Sequence, residues 1–238
     1  MTWTLDRCTL TGADDYTDID QLWEIAAAFP FVEWGVLYSV SQRGVGRYPS
    51  KAWLQRLVDR IAAGGLTPNF AIHVCGRAVG DLIAGVGDIT SIVQHFGRVQ
   101  VNFRSENFRL GDIRGMLERQ ANRTIITQHN VANASLWLGL KTLPNHASLF
   151  DASGGRGIAR TAWPTPLPGV SCGYAGGLGP DNIEESLASI QRAAGSSRYW
   201  IDMEGKLRSG DDRFDLTLAH AVLERVRRVI ATAEVVNG

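Results

Sequence analysis

The sequence carries no excess charge of either sign, because 24 lysines and arginines balance 24 aspartates and glutamates. Proteins that grip nucleic acid through its phosphates show a basic surplus, so no nucleic-acid partner is expected. The one dense basic run, Arg225 to Arg228, reads as the solvated face near a helix end, where cations also suit the dipole. Cysteine is scarce. Cys8, Cys75 and Cys172 are the three present, far apart and without a CxxC pair, which argues against a zinc site or a disulfide framework. No HxH, HExxH or carboxylate cluster appears, and no nucleotide-fold glycine signature follows the first apolar run, so neither a metal nor a cofactor is expected. There is also no apolar run approaching the ~18 residues that span a bilayer, and no signal-peptide pattern. A cytoplasmic chain with reduced thiols and no membrane contact is the expectation. The seven tryptophans are scattered, with no stacking platform for bases. Nothing in the pattern sets an oligomeric state.

What is present is alternation. Short apolar runs at 3–10, 31–39, 69–76, 98–103, 123–128, 146–152, 169–175 and 198–204 read as strands. Between them lie helix-like segments at 17–29, 50–64, 109–121, 133–143, 180–194 and 214–233, a weak stretch at 79–96 and a short piece near 158–163. In the last long segment Phe214, Leu218, Ala221, Val222, Val229 and Ile230 recur at near-helical spacing. Eight strands alternating with helices over 238 residues predict a single-domain α/β (β/α)8 barrel, for which ~250 residues is typical. No linker-like tract divides the chain. The Trp-Pro-Thr-Pro-Leu-Pro-Gly stretch at 163–169 is short enough to be one rigid loop.

Two glycine turns follow the sixth and seventh strands. In such barrels the loops after strands seven and eight, with a helix N-terminus, commonly bind a phosphate. The stretch Ala-Gly-Gly-Leu-Gly-Pro-Asp-Asn at 175–182 fits, because Gly176 and Gly177 leave room for an oxyanion against the main chain. A tight turn without a ligand is the plainer alternative. Upstream, Asp151 ends an apolar run and opens the glycine turn 151–157, which includes Gly154 and Gly155. A carboxylate at that end of a barrel strand reads as catalytic, or else as a brace for the loop.

These residues carry a resemblance. Leu-Phe-Asp-Ala-Ser-Gly-Gly-Arg-Gly at 149–157, Gly-Tyr-Ala-Gly-Gly-Leu-Gly-Pro-Asp-Asn at 173–182 and the strand-and-glycine turn at 200–205 together resemble the phosphoribosylanthranilate isomerase family. The family's Cys-Gly-Ile-Thr start also lines up without a gap on Cys8–Asp15. The resemblance implies a (β/α)8 barrel acting on a small phosphorylated substrate, an aminoaldose phosphate that it rearranges to the aminoketose. It implies Asp151 as general acid and Cys8 as general base. An acid must hold its proton near neutrality, and a cysteine base must be a thiolate. It further implies an arginine after strand two, Arg43 or Arg47 with Arg43 preferred, and a phosphate grip made by Gly176, Gly177 and Gly205.

The chain departs from the pattern at several places. Met203 and Glu204 stand where the family has small hydroxyl residues, and a glutamate repels a phosphate unless it turns away or Lys206 and Arg208 offset it. Thr9 replaces a glycine and Asn102 ends strand four. His73, Gln128, His129 and Asn130 add polar groups to the third and fifth strands. His129 and Asn130, nearer a strand end, are candidates to meet substrate, whereas His73 reads as structural. Glu33 reads as an ion-pair partner at the opposite face. A diverged isomerase, epimerase or lyase using His129, Asn130, Asn102 or Arg77 is the alternative, and a non-catalytic phosphometabolite-binding barrel is the third reading.

Overall fold

The computed structural model describes residues 4–65, 68–151 and 162–237. Eight parallel strands pair in sequence order and close on themselves: β1 (Leu5–Thr11), β2 (Val32–Tyr38), β3 (Asn69–Cys75), β4 (Arg98–Asn102), β5 (Thr124–His129), β6 (His146–Phe150), β7 (Ser171–Ala175) and β8 (Tyr199–Met203). Around them run α1 (Ile19–Ala28), α2 (Lys51–Ala62), α3 (Arg77–Ala84), α4 (Ile89–Ile92), α5 (Leu110–Arg119), α6 (Leu136–Leu140), α7 (Ile183–Ala194) and α8 (Leu216–Asn237). This is the expected (β/α)8 barrel, with every apolar run in its place. The weak stretch after β3 resolves into α3, α4 and a 3-10 turn, because Gly85 and Gly87 adopt positive φ and break it. The short piece near 158–163 falls mostly outside the described residues. Among the described residues no helix is long and apolar enough to cross a membrane.

Helix starts follow local chemistry. Asp18 accepts the Asp20 N–H at 2.9 Å at the head of α1, and Ser50 accepts the Trp53 N–H at 3.2 Å at the head of α2. In α8 the buried stripe is Ala219, Val222, Leu223 and Val226, with Leu218, Val229 and Ile230 packed beside it. Its basic run is solvated as expected, Arg227 pairing with Glu224 and Arg228 with Glu184 on α7.

Strand residues alternate between the barrel interior and the helix layer. Cys8 and Leu10, Trp34 and Val36, Ile72 and Val74, Val99 and Val101 pack outward against the helices in one large apolar core. The inward set is far more polar. Thr9 and Thr11, Glu33, His73, Arg98 and Gln100, Gln128, Asp151 and Asp202 are all buried. At the bottom, Arg98 pairs with Glu33 at 2.8 Å, Thr9 donates to the same carboxylate at 2.9 Å, and Arg98 lies 4.2 Å over the Trp200 ring. Trp200 fills the axis because β7 offers Gly173 beside it, where a Cβ would stand 2.1 Å from the indole. This plug fixes the other end of the barrel, where the C-terminal loops gather, as the open one.

Candidate active site

At the open end Ala175 leads into Gly176 and Gly177, whose φ of +122° and +66° few other residues adopt. The loop is closed by one side chain. Asn182 accepts the Gly179 N–H at 3.0 Å and donates to the Gly177 carbonyl at 2.9 Å. From β8 a 3-10 turn, Gly205–Leu207, brings Lys206 against this loop so closely that a Cβ on Gly179 would lie 2.5 Å from the Lys206 Cβ. Gly176, Gly177, Leu178, Gly205 and Lys206 together line one side of a cavity of 540 Å3. Among the described residues Lys206 makes no ion pair, which leaves a cation beside the glycine backbone. Small-residue backbone plus one ammonium is a site suited to a phosphate.

The cavity floor is built from inward residues of the strands. Asp151, just past β6, accepts from the Gln128 amide at 3.1 Å. Asp202 on β8 accepts from the Thr11 hydroxyl at 2.7 Å. Burial raises the Asp202 carboxyl to about 7, and the charges of Asp151 and Glu33 push in the same direction. The Thr11 bond and Arg98 oppose the rise without cancelling it. His73 lines the same floor, and burial lowers its imidazole to about 4, so it is neutral at physiological pH. A second cavity of 960 Å3 opens over β3 to β5 and shares Arg47, Asn102, Gln128 and Glu204 with the first. Its walls include Phe103, Phe108, Val79 and Val131, with Asn130 at the edge. A chain of polar contacts ties the two together: Gln100 donates to Asn102 at 3.0 Å, and Asn102 to the Cys75 sulfur at 3.3 Å.

The expected site residues divide. Asp151, Gly176, Gly177 and Gly205 come together around one cavity. Cys8 does not join them. It lies on the outward face of β1, fully buried in the apolar layer, and burial drives its thiol far above the ordinary range. A thiol held neutral and facing the helices is out of reach of a substrate in the mouth. Arg43 is also corrected: it turns to the helix side, donating to the Tyr38 hydroxyl at 2.6 Å. Arg47 is the arginine of the mouth, held by Glu204 at 2.5 Å. His129 faces outward, edge-on to Phe150 at 5.3 Å, and lines neither cavity. Asn130 reaches only the second cavity, where its side chain accepts the Ala132 N–H at 3.1 Å. Gly154 and Gly155 lie outside the described residues.

Several other positions change in weight. Glu204 stays in the mouth, its charge met by Arg47, and burial raises its carboxyl. Arg208 does not offset it. That side chain is buried against Asp14 at 2.8 Å and Asp212, where it braces the β1 and β8 loops. Arg77 pairs with Asp81 at 3.9 Å and lines neither cavity. Glu33 is the buried ion-pair partner that its position in the sequence suggests. Asp202 was not among the expected residues, although a carboxylate in the apolar strand Tyr-Trp-Ile-Asp-Met is a visible signal. Among the described residues no group of three His, Cys, Asp or Glu side chains is arranged to hold a metal.

No family model matches the chain, and no curated protein matches it either. Solved structures do. The chain covers 97% of a TrpF from Jonesia denitrificans over 94% of its own length, at 14% identity and a TM-score of 0.63. It covers 99% of the phosphoribosyl anthranilate isomerase of Thermus thermophilus over 94% of its own length, at 16% identity and a TM-score of 0.63. The corresponding enzyme of Thermotoga maritima matches over 93% of this chain and 98% of that one, at 13% identity and a TM-score of 0.61. The chain is therefore a (β/α)8 barrel similar in fold to phosphoribosylanthranilate isomerases. At these identities the likeness concerns the fold.

Proposed function

We propose that this barrel is an isomerase that converts an N-substituted aminoaldose phosphate to the aminoketose, with N-(5-phosphoribosyl)anthranilate as the substrate to test first. The observation that carries the reading is the placement of two buried carboxylates, Asp151 and Asp202, beside a glycine-and-lysine cradle in a single cavity. The phosphate sits on Gly176, Gly177, Gly205 and Lys206. Asp202, titrating near neutrality, supplies the proton to the ring oxygen, and the ring opens to the iminium. Asp151 then removes the C2 proton. The resulting enolamine tautomerises to the ketone, so the substrate gains and loses equal numbers of protons and the carboxylate pair ends with the one proton it began with. In this scheme Asp151 takes the part that the family pattern implies for Cys8, and Asp202 the part it implies for Asp151.

Three unpaired cysteines fit a reducing cytoplasm, and the likeness to the Jonesia and Thermus structures supports a place in tryptophan biosynthesis. The test is to add purified protein to freshly generated phosphoribosylanthranilate and follow the loss of anthranilate fluorescence. Turnover supports the reading. A folded protein that binds phosphate without turnover directs the search to other sugar phosphates.

A further inference from the structure

His73 is 2% exposed on the inward face of β3 and lines the same cavity as Asp151 and Asp202. Among the described residues its ring makes no hydrogen bond. An imidazole carries two nitrogens that each need a partner, and this one takes none from the described residues. The other deeply buried histidine, His146, sits on the outward side of β6 and bonds the Thr127 hydroxyl at 2.9 Å through Nε2, while its Nδ1 is sealed without a partner; neither ring nitrogen of His73 is sealed in that way. The groups around His73 also bear on its charge. Glu204 and Glu33 favour the cation and Arg98 opposes it, but burial outweighs them and keeps the ring neutral. A neutral imidazole presents one N–H donor and one acceptor without adding charge. In a cavity that two carboxylates also line, it is suited to hold an oxygen rather than to carry a proton away.

We infer that His73 is a substrate-contacting residue that donates its N–H to the C2 oxygen of a bound phosphosugar. The inference rests on the proposed sugar-phosphate reading. That oxygen is a hydroxyl in the aldose and a carbonyl in the ketose, and it accepts the same N–H in both. The bond strengthens as carbonyl character develops, which is the behaviour that lowers a barrier. No proton leaves the imidazole in this role. It therefore differs from the Asp151 and Asp202 roles and survives replacement by another neutral donor.

The experiment uses the imidazole proton resonances of the five histidines in the full-length protein. The His73 signal is assigned by its loss in His73→Gln. Ribose 5-phosphate is titrated in, with inorganic phosphate as a parallel probe. The expected result is that ribose 5-phosphate moves the His73 signal while inorganic phosphate, bound in the cradle, leaves it in place. By calorimetry, His73→Leu weakens ribose 5-phosphate binding by roughly tenfold, the loss expected of one buried hydrogen bond, with inorganic phosphate affinity unchanged. His73→Gln keeps most of the affinity. Ribose 5-phosphate binding with an unmoved His73 signal overturns the inference alone. Equal losses for both ligands in His73→Leu overturn it too, because they show a structural role. Failure of the wild-type protein to bind either ligand overturns the sugar-phosphate reading, and the inference with it.

Discussion

The Thr11 hydroxyl donates to the Asp202 carboxylate at 2.7 Å across the β1–β8 seam, and Gly35 on β2 is what leaves room for it. A Cβ at position 35 would stand 2.1 Å from the Thr11 oxygen. Sequence, packing and site chemistry meet at this contact. Gly35→Ala is expected to destabilise the protein by about 1–3 kcal/mol through overpacking, read as a lowered denaturant midpoint. Thr11→Val keeps the shape but leaves a buried acceptor unpartnered, at a cost of about 1–3 kcal/mol. It also removes an interaction that opposes the high Asp202 titration point, so that point rises further.

Stability should depend on pH in a way that separates Asp202 from His73. An aspartate titrating at about 7 in the folded protein, against ~3.9 unfolded, binds its proton more tightly when folded. Its contribution is fully present below ~4 and is lost as pH rises through about 7. His73 and His146, both near 4 when folded against ~6.5 unfolded, behave in the opposite sense: their contribution is present above ~6.5 and is lost as pH falls towards 4. Thermal midpoints measured from pH 4 to 8 should show Asp202→Asn gaining on the wild type as pH rises. His73→Gln should gain on it as pH falls.

Arg47 and Arg43 make a matched pair of tests. Arg47→Met removes the partner of Glu204 and leaves that carboxylate facing the phosphate cradle, so phosphosugar affinity should fall. Arg43→Met, on the helix side, should leave affinity unchanged. Glu204→Gln removes the repulsion and is expected to tighten inorganic phosphate binding by roughly tenfold, measured by calorimetry at low salt.

The three thiols should react in an order set by position. Cys75 lines the larger cavity, whereas Cys8 and Cys172 are buried in the apolar layer. Under native conditions a thiol-reactive chromophore should modify Cys75 first and reach the other two only on unfolding. A phosphosugar in the mouth should slow the first reaction.

The strands, the barrel and the glycine turns were legible in the sequence because each rests on local chemistry: apolar runs of strand length and paired glycines. The face of each strand was harder to read. Matching Cys8 to a family base compares letters, while the direction of a side chain is set by alternation. In Cys-Thr-Leu-Thr the cysteine shares its side with Leu10, and Thr9 and Thr11 share the other. That pattern was present, and it placed Cys8 outward. The choice between Arg43 and Arg47 was different in kind. It depends on how a long loop folds over the mouth, and the partner that fixes it, Glu204, lies 157 residues away. For His73 the letters give no sign either way, because that its ring takes no hydrogen bond from the described residues shows only once the barrel surrounds it.

Which groups move protons is tested directly by one comparison. Turnover of phosphoribosylanthranilate is measured for the wild type, Cys8→Ser, Asp151→Asn and Asp202→Asn, with inorganic phosphate binding checked for each. The prediction is that Cys8→Ser keeps its rate, while either aspartate variant loses about 100-fold or more and still binds phosphate. A Cys8→Ser protein that is folded but inactive, beside an Asp202→Asn protein that is fully active, would contradict it.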